Sequence, residues 1–168
     1  MKGEIKNIFA NINDWLKFAE AKHTGMLILN SGVIFGLFTV LKDYQYYLPK
    51  TAILLSLICF GLSMLFSIVS LYPSSHNIQP RRKKITNPNL YFNQHISMLN
   101  VEDFKSELIK IDTNYKFDKL DDDLIYQIII NSTIATRKYK LFKFSTIFTT
   151  MGLGIPLITT LLKIICHL

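Results

Sequence analysis

The sequence predicts an all-α membrane protein with three transmembrane helices, the first and third extended into the cytosol around a small helical cytosolic insert. Three apolar stretches carry this prediction: residues 25–41, 51–72 and 144–165. A bilayer core about 30 Å thick is crossed by roughly 20 apolar residues of helix. Lys163, near the end of the last stretch, is the one charged residue in them. Backbone amides in lipid must bond within their own segment, so each stretch is expected to be helical.

The charge distribution predicts how the chain crosses the membrane. The 168 residues include 19 Lys and Arg against 12 Asp and Glu, a net charge of +7. Segments 1–24 and 73–143 hold most of the positive charges, whereas the loop between the first two spans has only Lys42 and Lys50. Because cytoplasmic segments collect Lys and Arg, we expect the N-terminus and 73–143 inside and the C-terminus outside. One domain, residues 1–168, is the expected organisation.

The first helix is predicted to begin in the cytosol and continue into the membrane. Asn13 is a candidate N-cap, and Trp15 suits the membrane interface. The helical face is marked by residues at three-to-four spacing: Trp15, Phe18, Ala19, Lys22, Met26 and Leu29. Gly32 and Gly36 form a GxxxG motif, which lets helix backbones approach closely. That motif serves contacts either within one chain or between chains.

The second span follows a loop with three tyrosines, and Pro49 suits the start of its helix. Small residues form a stripe along it: Ser56, Cys59, Ser63, Ser67 and Ser70. This stripe packs within a protomer, or else it contacts another protomer or lines a pore. The segment 73–88 is a loop by composition. Its basic run, residues 81–84, is expected to attract anionic lipid headgroups rather than nucleic acid.

The cytosolic insert is predicted to contain one short helix before the third long helix. Asn100 is the expected N-cap of a helix that ends near Ile111, and residues 112–115 form a turn. Asp118 is the expected cap of the long helix, which continues into the third span and kinks near Pro156. One face of this helix carries a stripe: Leu120, Leu124, Ile128, Asn131, Ala135, Lys138 and Phe142.

Polar residues gather at the cytosolic edges of the first and third spans. They are Glu20, Lys22, His23 and Asn30 on the first helix, and Gln127, Asn131, Arg137 and Lys138 on the third. Such groups are costly near lipid unless paired, so we expect them to face one another, with Asn131 and Lys138 directed at the first helix. Two interpretations remain open. They form a structural network, for example Glu20 with Lys138, or they bind a ligand.

Nothing in the sequence favours catalysis. The four histidines are scattered, and no HExxH, GxSxG or phosphate-loop motif is present. Cys59 and Cys166 form no CxxC pair. We therefore expect that the protein is not an enzyme and that it has no catalytic residue, metal, cofactor or nucleic-acid partner. A small transporter fits poorly, since no charged residue lies near the middle of a span.

Three segments resemble one known family. The first is WLKFAEAK at residues 15–22, which leads into an apolar helix containing Asn30. The second is NLYFNQHI at residues 89–96, followed by a short helix. The third combines Asp123, Gln127, Asn131, Ile134, Lys138 and Tyr139 before the last span. In this order, over about residues 15–165, they are similar to the Pycsar effector domain family.

That resemblance implies a bacterial antiphage effector of the inner membrane. In such systems a partner cyclase makes a cyclic pyrimidine nucleotide, cyclic UMP or cyclic CMP, and the effector impairs the membrane. Three helices cannot enclose a pore, so a homo-oligomer is expected. In the ligand hypothesis, Lys22, Arg137 and Lys138 balance the phosphate charge, while Gln127 and Asn131 bond the base or ribose. The alternative is a membrane scaffold that binds a cytosolic partner through residues 73–143.

Overall fold

The computed structural model describes residues 1–43, 49–72 and 85–166, with the backbone alone for residues 40–43 and 166. The described residues are 83% helical and contain no strand. Their helices are α1 (Lys2–Asp43), α2 (Lys50–Leu71), α3 (Asn93–Ile96), α4 (Val101–Ile109) and α5 (Lys119–Cys166). The basic run 81–84 and the tyrosines of the first predicted loop lie outside the described residues.

The first helix begins earlier than the sequence suggested. α1 is helical from Lys2, so the prediction of an N-cap at Asn13 is wrong. The cause is a second apolar face upstream: Ile5, Ile8 and Ile12 recur at helical spacing and are fully buried. Burial of such a face stabilises a helix more than a capping residue does.

The remaining helix boundaries agree with the sequence. Pro49 immediately precedes α2, and the Asn100 side chain accepts a bond of 2.6 Å from the Asp103 amide at the start of α4. The Asp121 amide donates to the Asp118 carboxylate over 2.8 Å, which confirms the cap of α5. α5 then continues unbroken past Pro156, and a bend there stays a prediction. The short helix α3 was not foreseen.

The chain packs as two compact units, to each of which α1 and α5 contribute a part. The amphipathic unit comprises Met1–Glu20 and Pro73–Tyr139, and the apolar unit comprises Ala21–Tyr72 and Lys140–Leu168. The amphipathic unit has the larger apolar core. Its buried members are Ile5, Ile8, Ile12, Leu90, Ile96, Leu99, Phe104, Leu108, Ile125, Ile128 and Ile129. The expectation of a single domain stays a prediction.

Two helices with described side chains are long and apolar enough to cross a membrane, α2 and α5. The structure thus supports two of the three predicted spans by length and composition. The predicted first span, residues 25–41, ends on side chains that lie outside the described part. In α5, only 11% of the apolar window is buried within the protein. Most of this window is therefore left uncovered by the described residues of the chain.

Candidate functional site

An ion pair joins the two long helices in the amphipathic unit. The Lys138 ammonium lies 3.1 Å from a Glu20 carboxylate oxygen. The Lys138 side chain is only 10% exposed, whereas that of Glu20 is 49% exposed. The predicted pairing of Glu20 with Lys138 is confirmed. Since a buried ammonium is costly without a partner, this contact fixes α5 against α1.

A second polar pair lies one heptad earlier on the same two helices. The Asn131 amide nitrogen donates to the Asn13 side-chain oxygen over 2.8 Å. Asn13 and Glu20 are seven residues apart, as are Asn131 and Lys138, so α1 and α5 run parallel here. The predicted direction of Asn131 and Lys138, towards the first helix, is confirmed. Polar pairs on an apolar seam specify helix register, as a single buried Asn does in coiled coils.

An aromatic pair completes this contact. Trp15 of α1 and Tyr139 of α5 meet edge to face, with ring centroids 5.8 Å apart. Burial raises the pKa of the Tyr139 hydroxyl. Edge-to-face packing adds to the apolar area that these rings bury. Asn13 and Trp15 therefore belong to the same seam as Glu20, a role that the sequence had not suggested for Asn13.

The other predicted ligand residues are dispersed. Gln127 and Arg137 are exposed on α5 in the amphipathic unit. Lys22 belongs to the apolar unit, where its ammonium lies 5.3 Å from the centroid of the Phe142 ring. His23, fully buried in the same unit, meets that ring edge to face at 5.5 Å. The ligand set of five residues is thus divided between the two units.

The loop before α3 fastens the beginning of α1. The Tyr91 hydroxyl donates to the Glu4 carboxylate, and the Asn11 amide nitrogen donates to the Tyr91 carbonyl over 3.1 Å. Inside the loop, the Asn89 side chain accepts a bond of 2.8 Å from the Tyr91 amide. The Asn89 amide in turn donates to His95 Nδ1 over 3.1 Å. The segment NLYFNQHI therefore has a structural role: it holds the start of α1 in place.

Charged and phenolic groups tie the start of α5 to its surroundings. A bond of 2.7 Å between Lys2 and Asp118 raises the pKa of the ammonium and lowers that of the carboxyl. The Tyr115 hydroxyl donates to the Asp121 carboxylate over 2.7 Å. This bond, with the nearby negative charge, raises the pKa of Tyr115 to about 12. Asp118 and Asp121 thus serve as helix-end contacts.

The small residues of the apolar unit fall into two groups. Ser56, Ser63 and Ser67 are buried. Gly32 and Gly36 are exposed, and a Cβ built on either would meet no atom within 4 Å. Packing of the GxxxG motif within one chain therefore finds no partner among the described residues. A close approach occurs instead at Gly152, where a Cβ would lie 3.0 Å from the Phe60 ring.

The polar residues of α1, α2 and α5 meet inside the apolar unit. The Asn30 amide nitrogen donates to the Ser63 hydroxyl over 2.8 Å, and Thr149 donates to the Asn30 carbonyl oxygen over 2.9 Å. The sequence placed Asn30 in a structural polar network with Glu20 and His23; the structure joins it to Ser63 and Thr149 on two other helices. No group of three His, Cys, Asp or Glu side chains suited to a metal occurs within residues 1–43, 49–72 and 85–166.

Both units fall within one known family domain. The sequence model named PycTM, the Pycsar effector protein domain, matches residues 4–165 of the chain. The chain belongs to the Pycsar effector family. No curated protein and no solved structure matches it. Membership of the Pycsar effector family assigns this protein a role as an antiphage defence effector and a membrane context.

Proposed function

We propose that the protein is a non-enzymatic antiphage effector of the bacterial inner membrane, triggered by a cyclic pyrimidine nucleotide to oligomerise and impair that membrane. Membership of the Pycsar effector family supports the defence role and implies a cyclic nucleotide signal from a cyclase. The observation that carries the membrane role is the exposure of α5, of whose apolar window only 11% is buried. An apolar helix surface of this extent is stable when lipid or another protein covers it.

The apolar unit presents further uncovered side chains on each long helix. On α1 these include Ile28 and Phe35, and on α2 Leu54 and Leu65. No charged residue lies between residues 24 and 39 of α1. These features support α1 as a third membrane span. Lys140 and Lys143 are exposed on α5 directly before the predicted span 144–165, which favours a cytosolic position for that end.

The proposed signal acts on the seam between α1 and α5 in the amphipathic unit. A cyclic nucleotide carries one negative phosphate, which competes with the Glu20 carboxylate for the Lys138 ammonium. Arg137 and Gln127, both exposed on the same helix, supply a second cation and a hydrogen-bonding amide. Asn131 becomes available to the ligand if its bond to Asn13 opens. The participation of Lys22 stays a prediction.

The proposed oligomer uses the glycine face of α1. Gly32 and Gly36 are exposed one helical turn apart with open space beside each Cα. In lipid, such a face permits close contact with a helix of another copy. Because three helices cannot enclose a pore, damage to the membrane requires several copies.

A membrane scaffold is the second candidate. The amphipathic unit exposes the large apolar side chains of Tyr91, Ile111, Leu120 and Tyr126, which a cytosolic protein partner would cover. A scaffold would act through residues 73–143 and would leave the membrane intact.

Membrane potential in cells separates the two candidates. The chain is expressed in a bacterial host together with a cyclase that makes cyclic UMP or cyclic CMP, and a potential-sensitive dye reports depolarisation. We expect depolarisation with the active cyclase and a normal potential with an inactive cyclase variant. A normal potential with both nucleotides, while the protein is present in the membrane fraction, would contradict the effector role and favour the scaffold.

A further inference from the structure

One hydroxyl group connects all three long helices of the apolar unit. Ser63 of α2 accepts the bond from Asn30 of α1. Its oxygen also lies 2.7 Å from the hydroxyl of Ser145 and 2.8 Å from that of Thr149, both on α5. Thr149 closes the ring with its bond to the Asn30 carbonyl oxygen. We call Asn30, Ser63, Ser145 and Thr149 the polar clamp; each is at least 96% buried.

The hydroxyl groups of the clamp have alternative hydrogen-bond acceptors in their own helices. In a helix, a Ser or Thr hydroxyl can donate to the carbonyl four residues earlier. Ser56 does so towards Ala52, and Thr146 and Thr150 do so towards Phe142 and Thr146. If the helices separate, Ser63, Ser145 and Thr149 can make the same local bonds. Their loss of interhelical partners is therefore partly offset.

Asn30 has no equivalent alternative. Its carboxamide carries two N–H donors and an acceptor oxygen, which one carbonyl of its own helix cannot satisfy. In an apolar medium an unsatisfied polar group is costly, so the cost of parting α1 from α2 and α5 is concentrated at this residue. Elsewhere on α1 in this unit, Lys22 and His23 contact the Phe142 ring, whereas Gly25, Gly32 and Gly36 have open space at the Cβ position.

We infer that the Asn30 contact is autoinhibitory: it holds α1 in the resting packing of the apolar unit, and its release is the step that permits membrane damage. This inference rests on the proposed function and specifies how membrane damage is prevented in the absence of a signal. α1 carries both the contact that closes the unit and the glycine face assigned to assembly. Opening the clamp lets α1 move away from α2 and α5 while its already exposed glycine face contacts other copies, and the hydroxyls of α2 and α5 turn to their own backbones.

The test is dye release from vesicles of phosphatidylethanolamine and phosphatidylglycerol that contain the full chain, with no nucleotide added. Asn30→Leu removes the carboxamide at nearly constant shape, and Thr149→Val removes its hydroxyl partner while keeping the side-chain volume. We expect both variants to release dye at least tenfold faster than the wild type. The exposed neighbour Ser31, changed to Ala, is the matched control and should behave as the wild type does.

A second control separates release from general destabilisation. Gly152→Ala crowds the Phe60 ring in the same unit without touching the clamp, and it should leave the vesicles tight. Tight vesicles with both clamp variants, or equal leakage with Gly152→Ala, would overturn the inference. Addition of cyclic UMP and cyclic CMP to the wild type tests the proposed function separately. Leaking clamp variants beside a wild type that ignores both nucleotides would support the clamp and contradict the proposed trigger.

Discussion

Lys138 of α5 is paired with Glu20 of α1 in an unequal way, since the ammonium is almost wholly buried and the carboxylate is half exposed. Removal of the Glu20 carboxylate therefore has a different consequence from removal of the Lys138 ammonium. Without the carboxylate, a buried cation loses a partner that it needs. Without the ammonium, the carboxylate remains in contact with water. The pair thus holds the seam in register, and a competing anion reaches the ammonium by displacing the half-exposed carboxylate.

Glu20→Ala should destabilise the protein more than Lys138→Met. Loss of a hydrogen bond to a charged group costs about 2 kcal/mol, which corresponds to a fall in Tm of roughly 4–8 °C for a chain of this size. Methionine fills the space of the lysine stem without a charge, so Lys138→Met should cost less than about 1 kcal/mol. Thermal unfolding of the detergent-solubilised protein measures both. A larger loss for Lys138→Met would show that the ammonium itself stabilises the fold.

Asn13 and Asn131 should tolerate replacement by leucine without a large loss of stability only when both are changed. Asn131→Leu alone leaves Asn13 without its amide donor, which costs on the order of 1–3 kcal/mol. The double variant Asn13→Leu with Asn131→Leu converts the contact to an apolar one and should recover most of the stability. A double-mutant cycle of Tm values measures the coupling. Additive losses would mean that the two side chains do not interact in solution.

Two glycine substitutions should change the free energy of unfolding in opposite directions. Gly152→Ala places a Cβ 3.0 Å from the fully buried Phe60 ring and should lower the free energy of unfolding by on the order of 1 kcal/mol. Gly32→Ala meets open space and should raise it by up to about 1 kcal/mol through helix propensity. Gly32→Ala should nevertheless weaken the proposed oligomer, which cross-linking in vesicles reports. Phe60→Leu should rescue Gly152→Ala, and failure to rescue would exclude the clash.

Tyr115 should titrate near pH 12 rather than near 10, because its hydroxyl donates to Asp121. A pKa that is raised in the folded state stabilises the fold below the unfolded pKa of about 10 and loses that effect as pH rises through 12. The difference in phenolate absorbance between the wild type and Tyr115→Phe isolates this residue among the eight tyrosines. Asp121→Ala should return its pKa towards 10. A titration near 10 in the wild type would contradict the bond.

The sequence predicted the helices well where local signals are strong. The caps at Asn100 and Asp118 and the continuity of α5 follow from short-range chemistry that any window of residues reveals. The apolar stripe on α5 also placed Asn131 and Lys138 towards the first helix. Asn13 was predicted to be a cap because a cap residue and a partly buried seam residue look alike until the partner helix is known.

The contacts that join distant segments were largely beyond the sequence. Glu4 with Tyr91 and Gly152 with Phe60 depend on which faces meet, and no periodicity within one helix specifies that. Glu20 with Lys138 was the exception, because Lys138 lies on the apolar stripe of α5 that was predicted to face the first helix, and Glu20 is the acidic residue of that helix nearest to the start of the predicted span. The ligand set drawn from the same polar residues was less well determined, since Lys22 lies in a different packing unit from the other four.

We propose that lipid surrounds the exposed apolar side chains of the apolar unit while the amphipathic unit stays in the cytosol. Ile158 on α5 and Ile111 after α4 test it, because both are well exposed in the isolated chain, 59% and 71%. Each is changed to Cys in a chain whose native Cys59 and Cys166 are replaced by Ala, and intact and lysed cells are treated with a membrane-impermeant maleimide. We expect Ile111→Cys to react only after lysis and Ile158→Cys to stay protected until detergent is added. Equal, rapid labelling of both positions after lysis would contradict it.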